Sequence, residues 1–196
     1  MLILASASPA RKALLTGTGL RFAVSPAQID ERALEAQGLG KAPEAVATAL
    51  AEAKAIAVSS TRPGDLVIGA DQVLSFDGEL LHKSPDIAAA RRQLDRLAGR
   101  THRLLAGFAL ARDGTVLVSG VDAADLTMRA FSATERDTVL ALEGPDVLGA
   151  VGAYRLEGPS IRLFERLEGD YFTILGLPLL PLLAALRRVA PDLFEE

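Results

Sequence analysis

The sequence predicts a mixed α/β fold in which helices alternate with strands and hairpins rule out a purely parallel sheet. Three observations carry that prediction. The opening run Leu2-Ile3-Leu4-Ala5 is short and apolar, and Ser8-Pro9, a helix-start signal, follows almost at once. Leu66-Val67-Ile68-Gly69-Ala70 is apolar on both faces, the mark of a central strand. Asp77-Gly78 and Asp113-Gly114 each separate two extended runs, as hairpin turns do.

At 196 residues, with 49% hydrophobic and 23% charged residues, the chain is globular in balance and long enough for one large domain or two joined lobes. A formal net charge of −4 gives no basic footprint for coating a nucleic-acid polymer, although a few local cations suffice to hold one nucleotide. The absence of cysteine excludes disulfides, thiolate metal sites and cysteine nucleophiles. Two histidines, His82 and His102, are too few for a histidine-rich zinc centre. Basic residues follow the first apolar run, whereas a secretory signal has them before it. The apolar stretch 172–186 is shorter than the roughly 20 residues of a membrane span, and Gly176, Pro178 and Pro181 interrupt it. The expectation is a cytoplasmic protein with no membrane partner.

The N-terminal corner is the first candidate site. Ser8 can cap the orphan amides of the helix it opens, and Pro9 at the first helical position loses no bond. That helix start aims free N–H groups and the positive end of its dipole beyond the first strand. Ser6 and Ser8 add hydroxyls, while Arg11 and Lys12 add charge within the first turn. Cations there oppose the dipole by roughly 0.3–1 kcal/mol each when exposed, a conflict that a bound anion removes. The corner reads as a phosphate-binding site or as a capped surface helix with two solvated cations.

Gly17 and Gly19 stop that helix, and Phe22 and Val24 alternate as a short strand into Pro26. Gln28-Ile29-Asp30-Glu31 follows as an acidic turn, whose two carboxylates either bind a divalent metal or are solvated loop charges. Residues 43–58 are alanine-rich, with Val46, Leu50 and Ala57 along one side and Lys54 within, and read as a helix. The central strand 66–70 ends at Asp71-Gln72. A carboxylate at the carboxyl end of a buried strand lies where open α/β sheets place ligands. The other reading, a cap for the next turn, fits less well because Val73-Leu74 continues the extended pattern. The chain then returns through Leu80-Leu81 to His82-Lys83, which puts Asp71 and Lys83 near the start of one hairpin arm and the end of the other. His82 reads as structural or as a rim residue.

Pro85-Asp86 opens a helix with Ile87, Ala90, Leu94 and Leu97 at helical spacing and Gly99 at its end. Arg91, Arg92, Arg96 and Arg100 form a solvated face or a dimer contact. Residues 104–111 and 116–128 are two long strands. Ser132 with Glu135 is a capping box for a helix up to Leu142, broken by Glu143-Gly144-Pro145. A glycine-punctuated loop, Gly149-Ala150-Val151-Gly152-Ala153, leads to Tyr154 and Glu157-Gly158-Pro159. Ile161, Leu163, Glu165 and Leu167 alternate as a strand, and residues 171–175 return as its partner. Gly176-Leu177-Pro178 starts a last helix with Leu182, Leu183 and Leu186 on its apolar face. No repeat or linker interrupts residues 1–196, which are expected to form a single domain.

Taken together, Ser6-Ala7-Ser8-Pro9-Ala10-Arg11-Lys12, Ile29-Asp30-Glu31, Leu50-Ala51-Glu52-Ala53-Lys54-Ala55, Gly69-Ala70-Asp71-Gln72-Val73, the stretch 78–83, Gly152-Ala153-Tyr154, Glu157-Gly158 and Gly176-Leu177-Pro178-Leu179 resemble the Maf family. Each motif alone is weak; their order from Leu2 to about Leu186 makes the likeness specific. The resemblance implies a nucleoside triphosphate pyrophosphatase that cleaves between the α and β phosphates. It also implies an elongated mixed β-sheet with flanking helices, two lobes around a central cleft in a Maf/ITPase-like fold, a divalent metal (Mg or Mn) and a homodimer.

Carried over by position, Asp71 is the general base, and Lys54 and Lys83 act on the triphosphate with Ser8, Arg11 and Lys12. Glu31 sits where the family has a carboxylate near the metal, with Asp71 the other ligand. Three positions that vary with substrate hold Ala10, Gln72 and Glu157, which resembles the branch hydrolysing 7-methyl-GTP. The branch acting on thymidine and uridine triphosphates typically has Arg, Thr and Gln there. The sequence departs from the family where Ala53 replaces a glutamate, where Ser84 separates Lys83 from Pro85, and where the uncharged Gly149-Ala150-Val151-Gly152 replaces a charged loop.

Physical chemistry is consistent with that reading. Attack on the α phosphorus builds charge on the leaving pyrophosphate, which cations screen while a carboxylate takes the proton of the attacking water. A carboxylate at Glu157 can accept from guanine N1–H and the guanine amino group, or is a surface glutamate in a turn. Two rivals are a nucleotide-sensing regulator of cell division and a nucleotidyltransferase. The second would need a glycine-rich phosphate loop, which the Ser-Ala-Ser-Pro corner lacks.

Overall fold

The computed structural model describes residues 1–37 and 42–195. The buried strand β1 (Leu2–Leu4) lies parallel to both β2 (Ala23–Val24) and β3 (Leu66–Phe76), with Ile3 opposite Ala23 on one side and Val67 on the other. β4 (Glu79–Leu81) folds back antiparallel on β3 through a turn with Asp77 at φ 51°. β5 (Thr101–Arg112) and β6 (Thr115–Met128) are joined at Asp113-Gly114, and β7 (Phe164–Glu168) pairs antiparallel with β6. The seven strands form one mixed sheet in the order β2-β1-β3-β5-β6-β7, with β4 attached to β3, as the hairpin turns and the buried strands together required.

The chain packs as two compact units, one of residues 1–72, 105–123 and 170–196, the other of residues 73–104 and 124–169. In the first, strand alternation sorts the core into two layers. Leu2, Leu4, Leu66, Ile68, Phe108 and Leu110 pack with Leu15 of α1 (Pro9–Thr16) and with Leu182 and Leu186 of α7 (Leu179–Val189). On the opposite face Ile3 and Val67 meet Val58 of α3 (Pro43–Ser59), and Ala109 and Ala111 meet Ala51 and Ala55. Helix α3 lies unusually close to the sheet. A Cβ at Gly69 would stand 2.1 Å from the Ala51 carbonyl oxygen, and one at Gly107 2.4 Å from that of Ala47. Small residues at 47, 51 and 55, one per helical turn, make that approach possible.

In the second unit, α4 (Ile87–Leu97) is capped by the Asp86 carboxylate, which accepts from Ala89 N at 2.7 Å, and buries Ala90, Leu94 and Leu97 as the spacing required. On its solvated side Arg91 pairs with Asp137 and Arg96 with Glu79, and Arg100, just beyond its end, pairs with Asp77. Helix α5 (Ala133–Glu143) starts at Ser132, whose hydroxyl accepts from Glu135 N. The reciprocal half of the expected capping box is absent, because the Glu135 carboxylate pairs with Arg129 instead. The side chain of Glu143 is fully buried and accepts from Arg155 Nε at 2.8 Å and from Ser160 N and Oγ at 2.8 and 2.7 Å. His102 Nε2 and the Tyr154 hydroxyl share a buried hydrogen bond of 2.6 Å, with Tyr154 edge-on to Phe164.

Three expectations are corrected. The acidic stretch does not close as a turn at Glu31, which is the first residue of a helix, α2 (Glu31–Gln37), with the Asp30 carboxylate accepting from Ala33 N at 3.0 Å. The alternation of Ile161 and Leu163 is not strand: Pro159–Leu163 is a 3₁₀ turn with proline at its start, and β7 begins only at Phe164. Residues 171–175 are not a return strand. Asp170 accepts from Phe172 N and Thr173 N and nucleates the short helix α6 (Tyr171–Ile174). At 159–163 and 171–175 a proline or a capping carboxylate decided against strand where side-chain alternation was short, and at Glu31 the Asp30 cap opened a helix. Among the described residues no helix is long and apolar enough to cross a membrane.

Candidate active site

The alternation of β3 aims consecutive residues at opposite neighbours. Asp71 continues the face of Val67 and Gly69, which α3 covers, whereas Gln72 continues the face of Ile68 and Ala70. Asp71 is therefore inside the strand and is no turn cap. Its carboxylate is buried and its Oδ1 accepts from the ammonium of Lys54, which is itself buried on α3. The same ammonium lies 2.6 Å from Glu31 Oε1, at the first residue of α2. Lys54 thus bridges two carboxylates from two different elements.

The N-terminal corner adjoins this triad. Ser8 caps α1 by accepting from Arg11 N at 3.4 Å, and Ser6 Oγ accepts from Ser8 N at 3.2 Å. Arg11 turns back from the helix start and donates to backbone carbonyls: Nε to Gly176 at 2.8 Å and Nη1 to Ala70 at 2.9 Å, with Ser6 Oγ at 3.3 Å from Nη1. Burial draws the Arg11 guanidinium below its ordinary pKa, while the charges of Asp71 and Glu31 oppose that shift. The conflict between Arg11 and the helix dipole is thus partly relieved by carbonyls of the protein itself. Lys12 is exposed on α1, and Ala10 is half-buried.

Ser6, Ser8, Arg11, Glu31, Lys54, Asp71 and Gln72 all belong to the first unit, so these expected site residues are brought together. Lys83 and Glu157 belong to the second. Lys83 is exposed beyond the end of β4, and Glu157 is exposed in a turn near the charge of Arg155. Residues 1–189 match a family described as Maf-like protein.

The chain belongs to the Maf-like protein family.

Its relatives include two proteins named 7-methyl-GTP pyrophosphatase. The one from Mesorhizobium japonicum is 55% identical over 188 residues, covering 95% of this chain and 94% of that one. The one from Brucella abortus biovar 1 is 53% identical over 189 residues, 95% of each chain. A protein of Nitrobacter winogradskyi named nucleoside triphosphate pyrophosphatase is 52% identical over 187 residues, 95% of this chain and 92% of that one.

In this Maf-like chain two features of the site were missed by sequence reasoning. The pairing of Glu31 with Lys54 depends on helix α2, whose signal in the sequence is Asp30 before a run of helix formers. The other is the small-residue face of α3 against Gly69 and Gly107, which brings Lys54 down to Asp71. Its trace in the sequence is alanine at every fourth position facing glycines in two strands.

Proposed function

We propose that this Maf-like protein is a nucleoside triphosphate pyrophosphatase that prefers 7-methyl-GTP and releases the monophosphate and pyrophosphate. The observation that carries the proposal is the buried Asp71 carboxylate held by Lys54 beside Arg11. Relatives at 53% and 55% identity named for that reaction support it.

In this reading Asp71 accepts the proton of the attacking water. The water oxygen bonds to the α phosphorus, the bond to the bridging oxygen breaks, and pyrophosphate leaves. Arg11, Lys12 and Lys54 offset the charge of the triphosphate, and Ser8 with the α1 amides receives a phosphate oxygen. Glu31 and Asp71 already share one cation, the Lys54 ammonium. That donor pair suits Mg or Mn, which takes one or two carboxylates and fills its shell with phosphate oxygens and water. Among the described residues no group of three or more His, Cys, Asp or Glu is placed to hold a metal ion. When bound, such an ion supplies further neutralisation of the polyphosphate.

Glu157 accepts from N1–H and the amino group of a guanine-type base, and methylation at N7 adds positive charge that an acidic residue favours. Uracil and thymine offer one N–H between two carbonyl oxygens, which a carboxylate repels. Ala10 leaves room where a bulkier residue marks the pyrimidine branch. The same reading makes the protein a cytoplasmic homodimer.

A panel of ordinary and modified nucleoside triphosphates, read out as pyrophosphate and monophosphate with and without a chelator, tests the proposal. The expected result is metal-dependent release, fastest from 7-methyl-GTP. No release from any nucleotide, or UTP and TTP ranking first, overturns it.

A further inference from the structure

Gln72 occupies one of the positions expected to select the base, yet its amide is turned away to a backbone turn. Nε2 donates to the carbonyls of both Thr173 and Ile174, each at 3.0 Å. Two carbonyl acceptors fix the orientation of the amide, since the oxygen in that place would face only lone pairs. The carbonyl end of α6 is therefore held by a side chain of β3. Two residues further on, the Gly176 carbonyl accepts from Arg11 Nε, and Arg11 Nη1 donates to Ala70 O. These bonds close a ring: Ala70, Asp71 and Gln72 along β3, across the amide to the turn after α6, then through Gly176 and Arg11 back to Ala70. Asp71 is the residue between the two anchored positions.

Gly176 sits within the ring. Gly176 adopts φ +94°, a conformation that other residues rarely take. A Cβ there would lie 3.4 Å from Gln72 Oε1 and 3.6 Å from Arg11 Nε, so the turn sits between the two side chains. Asp170 caps the front of α6, and Thr173 Oγ1 donates to Asp122 Oδ2 at 2.8 Å, which ties the turn to β6. The Arg11 guanidinium is held by the Gly176 and Ala70 carbonyls and the Ser6 hydroxyl; the second attachment of the turn, through Gln72, sets where Gly176 O stands.

We propose that Gln72 is a positioning residue, which fixes Arg11 relative to Asp71 through the turn that follows α6, and does not read the base. This rests on the proposed pyrophosphatase reading for the identity of the reaction. The ring acts on the polyphosphate end of the substrate, so its loss weakens every triphosphate alike and also weakens inorganic tripolyphosphate, which has no base.

The test compares wild type with Gln72→Met, which keeps the length of the side chain but has no donor, and with Gln72→Asn, which keeps the amide but is one methylene too short. For both variants kcat/KM is expected to fall about tenfold on 7-methyl-GTP and on UTP, as loss of two hydrogen bonds implies. The ratio between the two substrates stays within about twofold, and the inhibition constant of tripolyphosphate rises in step. A ratio shifted more than about fivefold overturns the proposal whatever tripolyphosphate does, as that is base readout. An unchanged tripolyphosphate constant overturns it too. Should wild type release no pyrophosphate from any nucleotide, the functional reading fails, while thermal stabilisation by tripolyphosphate and its loss in the folded variants still decide the role of Gln72.

Discussion

Lys54 and Asp71 form an ion pair in which each side chain keeps only 10% of its surface exposed. The second partner of the same ammonium, Glu31, is half in solvent at 51%. The two contacts therefore differ in weight. A charge withdrawn from water depends on its partner, whereas an exposed carboxylate is screened and can be solvated in its place.

Replacing Asp71 by Asn removes the acceptor for the proton of the attacking water. We expect kcat to fall by about 10²–10⁴, the usual contribution of a positioned base. Lys54 still has Glu31, so the circular dichroism spectrum stays that of the wild type. Near-normal pyrophosphate release by the folded variant would show that another group takes the proton.

Lys54→Met and Glu31→Gln separate the two contacts. Loss of Lys54 leaves Asp71 buried without its counter-charge, expected to cost about 3–5 kcal/mol in urea unfolding. Loss of the Glu31 charge is expected to cost less than about 1 kcal/mol, because that carboxylate is half exposed. Equal losses in the two variants would contradict the difference in burial.

Gly69→Ala places a methyl group 2.1 Å from the Ala51 carbonyl oxygen, a backbone atom that cannot swing aside. Helix α3 must then move off the sheet and carry Lys54 with it. We expect about 1–3 kcal/mol of destabilisation, from overpacking, with loss of activity at temperatures where the variant is folded. Full activity in that variant would show that the Lys54 position does not depend on this contact.

Burial lowers His102 from 6.5 to about 4. Its folded value lies below its unfolded one, so as pH falls below about 6.5 the unfolded chain takes up the proton first. Stability is therefore expected to decline from about pH 6.5 to about pH 4 and then to level off, by on the order of 3 kcal/mol from this group. Thermal melts of wild type and His102→Gln across that window measure it. Parallel curves would assign the acid sensitivity to other groups, such as Glu143. There burial raises the carboxyl, but bonds from Ser160 and Arg155 outweigh it and hold it below its usual range.

Glu157→Gln exchanges one acceptor oxygen for a donor. The preference for 7-methyl-GTP over UTP, taken as the ratio of kcat/KM, is expected to fall by about tenfold, with tripolyphosphate inhibition unchanged. An unaltered ranking would remove Glu157 from base recognition.

The sequence by itself determined the mixed sheet, its two hairpins, most of the helices and the candidate chemistry. Buried strands such as residues 66–70 declare themselves through unbroken apolar runs, and Ser8-Pro9 and Asp77-Gly78 impose their turns locally. The same local logic failed at residues 159–163 and 171–175, where a proline or a single capping carboxylate outweighed a few residues of alternation, and at Glu31, where the Asp30 cap opens a helix instead of closing a turn. Which partner each site residue would meet was beyond it. Asp71 and Gln72 are neighbours in the chain, but the pleat sends one to an ammonium on α3 and the other to the carbonyls of α6. Only the packing of those helices, set by alanines against glycines on one face and by a capped turn on the other, decided that one is withdrawn with a counter-charge and the other is spent on the backbone.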